Sequence, residues 1–390
     1  MRDFTFYAPT KVFFGKGKEQ EVGKIVASYG FKKIMLEYGK NSIKANGLYD
    51  TVMDSLKKEG IAVVEMGGVE PNPKLDFIRK AVKVAKEEAV ELVLAVGGGS
   101  VIDSSKFTAI GAANDFDVWD LPMGKRKPVA ALPVGCVLTL AAAGSEMSAS
   151  AVMTNMEENL KKGFGSDFNR PLFAICNPEL TYTVNKYHTA CGITDIMAHT
   201  MERYFFPCED TPLTDRIAEA ILKSVIEAGR VLLTEPENYD ARATVMWASS
   251  LSHNNLTGCG RENVLAVHQL EHALSGEFDH IAHGAGLAVL FPAWASYVYT
   301  ERIDRFAQFA RRVWDVNEPD DKKAAEQGVK AMTDFFKEIG MPSSLCEFGI
   351  ENKAERLADL CTSGKTRVIN SYIPLDFDVI KDIFERCYNK

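Results

Sequence analysis

Short apolar runs alternate with amphipathic, helix-spaced stretches through the first half of this 390-residue chain, which predicts an α/β N-terminal domain built on a parallel sheet. From about Val184 strand-like runs largely disappear and long segments of helical period replace them, which predicts an all-helical C-terminal domain. A glycine cluster ends one early apolar run, and all 7 histidines lie between His188 and His283.

The first clear strand is Lys33–Glu37, followed by a polar turn and a helix from about Asn46 to Glu59. Ile61–Glu65 is the next strand, Asp76–Glu88 has helical spacing, and Glu91–Val96 is a strand that runs into three glycines and a helix over Val101–Ile110. Val129–Leu132 and Leu172–Ile175 are expected as further strands. The Phe4–Tyr7 and Val12–Phe14 runs suit edge strands, a natural contact for a homodimer. Helices are expected at Leu213–Leu233, Ala241–Asn254, Glu301–Val313 and Lys322–Ile339, the last capped by Asp321 and stopped by Gly340 and Pro342. The expected domains are residues 1–182 and 183–390.

Composition narrows the function. A formal charge of −8 with no basic stripe argues against nucleic acid or an anionic membrane surface as partner. No apolar run approaches the roughly 20 residues that span a bilayer, and the N-terminus lacks a signal-peptide core. The 8 cysteines, at 136, 176, 191, 208, 259, 346, 361 and 387, form no Cys-x-x-Cys pair; buried reduced thiols and a cytoplasmic setting are expected.

Gly97-Gly98-Gly99-Ser100 stands between a strand and the helical run Val101–Ile110. Glycines let a backbone approach a phosphate, and a helix N-terminus offers N–H groups and a favourable dipole. A tight strand-to-helix turn without a ligand would use the same glycines. The run is not the Gly-x-Gly-x-x-Gly fingerprint. A second turn, Gly39-Lys40-Asn41-Ser42, follows the first clear strand. Where many dinucleotide sites place an acid against the ribose, it offers space, a cation and donors, which suits a phosphorylated ribose and hence NADP(H) over NAD(H). A polar surface turn has the same composition.

The histidines fall into Asp195-x-x-x-His199, His268-Gln-Leu-Glu271-His272 and His280-Ile-Ala-His283. The two four-residue spacings put both side chains on one helix face, and imidazole is the commonest side-chain ligand for transition metals. Each grouping alone has an ordinary structural reading. Their joint occurrence with the glycine turn favours a metal enzyme that uses a nucleotide cofactor.

Together these motifs resemble the iron-containing, or group III, alcohol dehydrogenases, above all the butanol dehydrogenase branch. The likeness rests on Gly97–Ser100 with Asp103 and Lys106, the Ser42–Asp50 run, Gly144-Ser-Glu-Met147, Gly192–His199, and Val267–His272 through His283-Gly284. It implies a nucleotide domain, a helical metal domain and a cleft between them. It implies Asp195, His199, His268 and His283 as ligands of one divalent ion, Fe(II) or alternatively Zn(II), with His272 facing the nicotinamide or substrate as the catalytic group. It further implies that Gly97, Gly98, Gly99, Ser100 and Asp103 serve the diphosphate turn, that Thr139 and Lys161 meet the cofactor, and that Gly39 to Ser42 separate NAD from NADP. Short-chain primary alcohols and aldehydes such as butanol and butanal are the implied substrates, and a homodimer the implied assembly. Three departures stand out: Ala143 replaces the family's usual threonine, the 39–41 turn reads Gly-Lys-Asn, and one extra residue before His283 makes His280 its rival.

Two other readings compete. His268-x-x-Glu271-His272 matches the inverted zinc-peptidase pattern, with Glu271 as general base. A glycerol dehydrogenase-like enzyme of the same superfamily would keep the same ligand set. Phe164, Tyr182, Leu256 and Phe278 hint at an apolar substrate pocket.

Overall fold

The computed structural model describes residues 1–206, 210–262 and 264–388, so Cys208 lies outside the described residues. The chain divides into two units, Tyr7–Val184 and Asn185–Lys390 with Met1–Phe6.

In the first unit the strands are β1 (Lys11–Phe14), β2 (Lys33–Tyr38), β3 (Ala62–Gly67), β4 (Leu92–Gly97), β5 (Val134–Leu138), β6 (Ser150–Asn155), β7 (Leu160–Gly165) and β8 (Phe173–Cys176). Between them run α1 (Val22–Ser28), α2 (Ser42–Ala45), α3 (Leu48–Lys58), α4 (Leu75–Glu87) and α5 (Gly99–Ala112). Six strands form one parallel sheet in the order β1-β8-β5-β4-β2-β3 among the described residues. Side chains alternate across it. Ile34, Leu36, Leu92, Leu94 and Val96 pack with Val22, Ile25, Val52 and Leu56 of α1 and α3. Glu37 points the other way and accepts from Ser105 of α5 at 3.2 Å. Both faces are therefore covered, as a parallel sheet requires.

The chain leaves β2 outward to β3 and returns to β4 on β2's other side. Ligands of such sheets bind beyond the strand C-termini where the strand order reverses. Both sequence-selected turns lie there: residues 39–42 follow β2, and Gly97–Ser100 carry the chain from the end of β4 into α5.

Several elements differ from expectation. Val129–Leu132 is irregular; the strand is Val134–Leu138, after Pro133. Phe4–Tyr7 forms no strand. The antiparallel hairpin β6–β7 was not anticipated; Asn159, at φ 52°, turns the chain between its arms. Residues 1–6 join the helical unit, where Arg2 donates to the Gly260 carbonyl at 3.0 Å and pairs with Glu262 at 2.6 Å.

The helical unit contains α6 (Lys186–Phe205), α7 (Pro212–Thr234), α8 (Tyr239–His253), α9 (Ala266–Glu277), α10 (His283–Val298), α11 (Ile303–Val313), α12 (Asp321–Glu338), α13 (Ala354–Thr362) and α14 (Phe377–Tyr388). The Asn185 side chain caps α6 by accepting from His188 N at 2.8 Å. Asp320, not Asp321, caps α12, accepting from Lys323 N at 2.9 Å, and Gly340 at φ 82° ends it. Among the described residues no helix is long and apolar enough to cross a membrane. The described cysteines are free thiols; Cys346 is exposed, against expectation, and the others are buried.

Candidate functional site

Buried α6 packs against α7, α8 and α10, and carries Asp195 and His199 one turn apart on one face. Two glycines bring the neighbouring helices close enough to complete the cluster. A Cβ at Gly284 would lie 2.2 Å from the Cys191 carbonyl oxygen, so only glycine lets the start of α10 press on α6 there and carry His283 toward Asp195. A Cβ at Gly286 would crowd the Glu271 side chain at 3.1 Å, so its absence lets α9 lie close against α10.

The result is a convergent donor set. Nε2 of His199 and of His268 each lie 3.4 Å from Asp195 Oδ1, and Nε2 of His283 lies 3.8 Å from it. Two donors of a tetrahedral ion at about 2.1 Å stand about 3.4 Å apart, the separation of Asp195 from His199 and from His268; these three could hold one ion, and Glu271, His272 and His283 form a second group of donors. Asp195, His199 and His268 are buried, while the His283 side chain is 23% exposed, which leaves one approach to the cluster.

Carboxylates orient two of the rings from behind. Glu202 bonds Nδ1 of His268 and accepts from Val267 N at 2.5 Å, and Glu271 bonds Nδ1 of His283. Such partners fix the tautomer that presents Nε2 to a metal. Burial and the surrounding imidazoles push the His199 ring well below the usual histidine range. Burial opposes charge on His268 as well, yet Glu202 and Asp195 hold it up to about 9. Neither supporting carboxylate was anticipated, although each lies three residues beyond a ligand-type histidine in the sequence.

The structure separates the rival histidines. His280 is exposed beside Phe278, and His188 is exposed; neither is among the residues around Asp195. His272 is half-buried, with its ring 5.7 Å from that of His283. Glu271 is fully buried and committed to His283, which removes it as the general base of a peptidase. His253 is buried with its ring 3.9 Å from that of His199.

In the sheet unit, Gly97 is required because a Cβ there would sit 2.5 Å from Val101 Cγ2. Gly98 caps α5, and the intrahelical bonds begin with Val101 and Ile102 donating to its carbonyl, so the preceding N–H groups of Gly99 and Ser100 lie at the open end of the helix. Thr139 donates its N–H to the Gly97 carbonyl at 3.1 Å, directly beside that end. Asp103 is turned inward: it accepts from the Ser145 hydroxyl at 2.5 Å and from Val152 N at 2.9 Å. Fully buried Lys106 donates to Ser145 Oγ at 2.9 Å and to the Ser150 carbonyl at 2.7 Å. These two residues brace the 145–152 segment. Lys161 is buried on β7, opposite Thr154.

At the other turn, Lys40 pairs with Glu70 at 2.7 Å, both side chains largely exposed. The Gly39 carbonyl accepts from Gly68 N at 3.1 Å, and Asn41 stands at the start of α2 without capping it. Phe164, expected in a substrate pocket, packs in the unit's own core beside Phe107.

Two family models match: iron-containing alcohol dehydrogenase over residues 9–178, and the C-terminal part of the Fe-containing alcohol dehydrogenase family over residues 189–388. The chain is 40% identical to NADH-dependent butanol dehydrogenase A of Clostridium acetobutylicum, with all of both chains covered. It is 36% identical to the NADPH-dependent aldehyde reductase YqhD of Escherichia coli, covering 100% of this chain and 99% of that one. The crystal structure of NADH-dependent butanol dehydrogenase A from Thermotoga maritima superposes with a TM-score of 0.96 at 36% identity, over 100% of this chain and 99% of that one. On these matches and the histidine cluster alike, this chain belongs to the iron-containing alcohol dehydrogenase family.

Proposed function

We propose that this protein is a metal-dependent NAD(P)(H) alcohol dehydrogenase and aldehyde reductase for short-chain primary substrates such as butanol and butanal. The observation that carries the reading is the convergence of three imidazoles on one Asp195 oxygen. The names of the relatives support the substrate class.

Asp195, His199, His268 and His283 would hold the ion, Fe(II) by family and Zn(II) as an acceptable substitute, since both suit such a donor set. When bound, the ion polarises an alcohol or aldehyde oxygen and the nicotinamide exchanges the hydride. One carboxylate and three neutral imidazoles leave the centre at about +1. Glu202 and Glu271 keep two of those imidazoles in the tautomer that binds metal. His272, on the exposed side of the cluster, takes up or returns the proton of the substrate oxygen. Gly98, Gly99 and Ser100 receive the diphosphate, with Thr139 and Lys161 alongside. NADP(H) is preferred and NAD(H) accepted, because the turn after β2 carries Lys40 and no acid at Gly39. Aldehyde reduction in the cytoplasm is the working direction, by a homodimer in contact through the β1 edge.

The test follows the absorbance of reduced nicotinamide with butanal, before and after chelation. Turnover with NADPH or NADH that chelation abolishes and Fe(II) or Zn(II) restores is expected. No turnover of any short aldehyde by metal-loaded protein overturns the reading.

A further inference from the structure

The three ligand-type imidazoles are held in two different ways. Nδ1 of His268 is bonded to Glu202 and Nδ1 of His283 to Glu271. Nδ1 of His199 is buried with no hydrogen-bond partner among the described residues. Its ring is instead held by its faces. His268 lies on it at 4.0 Å between centroids, tilted 26°, and His253 at 3.9 Å, tilted 33°.

His253 is itself fastened. It is the last residue of α8, 8% exposed, and its Nδ1 lies 2.7 Å from an Arg203 guanidinium nitrogen. A guanidinium can only donate, so Nδ1 of His253 accepts and the ring's proton sits on Nε2. Arg203, one turn beyond His199 on α6, also donates to the His199 carbonyl at 2.7 Å and to the Ser252 carbonyl at 3.2 Å. One buried guanidinium thus ties the backbone of His199, the end of α8 and the ring stacked on His199 into one unit.

We propose that His253 is a positioning residue for the metal centre: its imidazole, anchored by Arg203, is the flat wall that fixes the plane of His199 where the other two rings have carboxylates. A ring without a partner on Nδ1 can turn about its bond to Cβ, and its Nε2 lone pair then swings away from the ion. A stacked face prevents that turn. The inference rests on the ligand set proposed above.

The test uses the full-length protein stripped of metal and titrated with Co(II) against a competing chelator, with the visible absorption of bound Co(II) as a second readout. His253→Phe keeps a flat ring, His253→Gln keeps an acceptor for Arg203 without a ring, and His253→Ala removes both. Affinity is expected to fall about tenfold or more in the Ala and Gln variants, with a changed Co(II) spectrum. In the Phe variant it should stay within about threefold of wild type with the native spectrum, a rescue that a general folding role would not give. If the Ala variant fails to fold, the Phe and Gln pair decides. A Phe variant as weak as the Gln variant, or wild-type affinity and spectrum in all variants that fold, overturns the inference. His199→Ala serves as control: unchanged Co(II) affinity there would remove the ligand set together with this inference, whereas loss there beside wild-type behaviour in every His253 variant removes the inference alone.

Discussion

The Glu271 carboxylate is bonded to Nδ1 of His283, from α9 to the first residue of α10. A residue with the sequence environment of a catalytic base is thereby a support for a proposed metal ligand. Glu271→Gln, which keeps size but gives up the charge, should weaken metal affinity by about tenfold to a hundredfold. At saturating metal, kcat for aldehyde reduction should stay within about tenfold of wild type. Chelator competition and steady-state rates at several metal concentrations check both; abolished turnover at saturating metal would return Glu271 to a direct chemical role.

The ligand assignment separates two histidines three residues apart. Asp195→Ala and His283→Ala should lose stoichiometric metal and at least about a hundredfold in kcat/KM, because the remaining donors no longer close the site. His280→Ala should bind metal and turn over like wild type, since His280 is exposed beside Phe278. Metal analysis of purified protein reads the difference directly.

Cofactor preference should follow the Lys40–Glu70 pair, 2.7 Å apart at the end of β2. A 2′-phosphate would compete with Glu70 for the Lys40 ammonium. Lys40→Ala should cut kcat/KM for NADPH by about twofold to fivefold and leave NADH nearly unchanged, a size typical of one exposed ion pair. Glu70→Gln should raise NADPH efficiency by a few-fold. Equal effects on both coenzymes would remove the 39–42 turn from the specificity argument.

Glu37 predicts a pH effect on stability away from the metal. Burial between β2 and α5 pushes its carboxyl up to about 7, and the hydroxyls of Thr108, Ser104 and Ser105 offset only part of that. The folded chain therefore holds a proton that the unfolded chain has released above the ordinary glutamate value of 4.5. Its contribution is full below that value and is lost as pH rises through about 7, by on the order of 3 kcal/mol. Glu37→Gln should flatten the decline of Tm between about pH 5 and 8 and melt higher than wild type at pH 8. Thermal melts of both proteins across that range are the measurement.

Local spacing made much of this legible. The pair Asp195 and His199 is set by one helical turn, and the Gly97–Ser100 turn by the change from strand to helix period, so both stand in the sequence itself. Val129–Leu132 has the apolar content of a strand, yet Pro128 and Pro133 flank it and keep it irregular, while Gly135 weakens the signal of the true strand. That glycine is there for Phe173, whose ring would lie 2.3 Å from a Cβ at position 135. The β6–β7 hairpin hid behind Lys161, Lys162 and Gly163, which carry little apolar pattern. Glu202, Glu271, Arg203 and His253 act on residues of other helices, and no local period encodes such pairings. The first six residues joined the helical unit through a bond from Arg2 to Gly260, equally invisible to spacing.

All four proposed metal donors and both carboxylates bonded to two of them come from Asn185–Lys390. On that assignment the ion asks nothing of the sheet unit, so protein purified without any nicotinamide should still take up one equivalent of divalent metal.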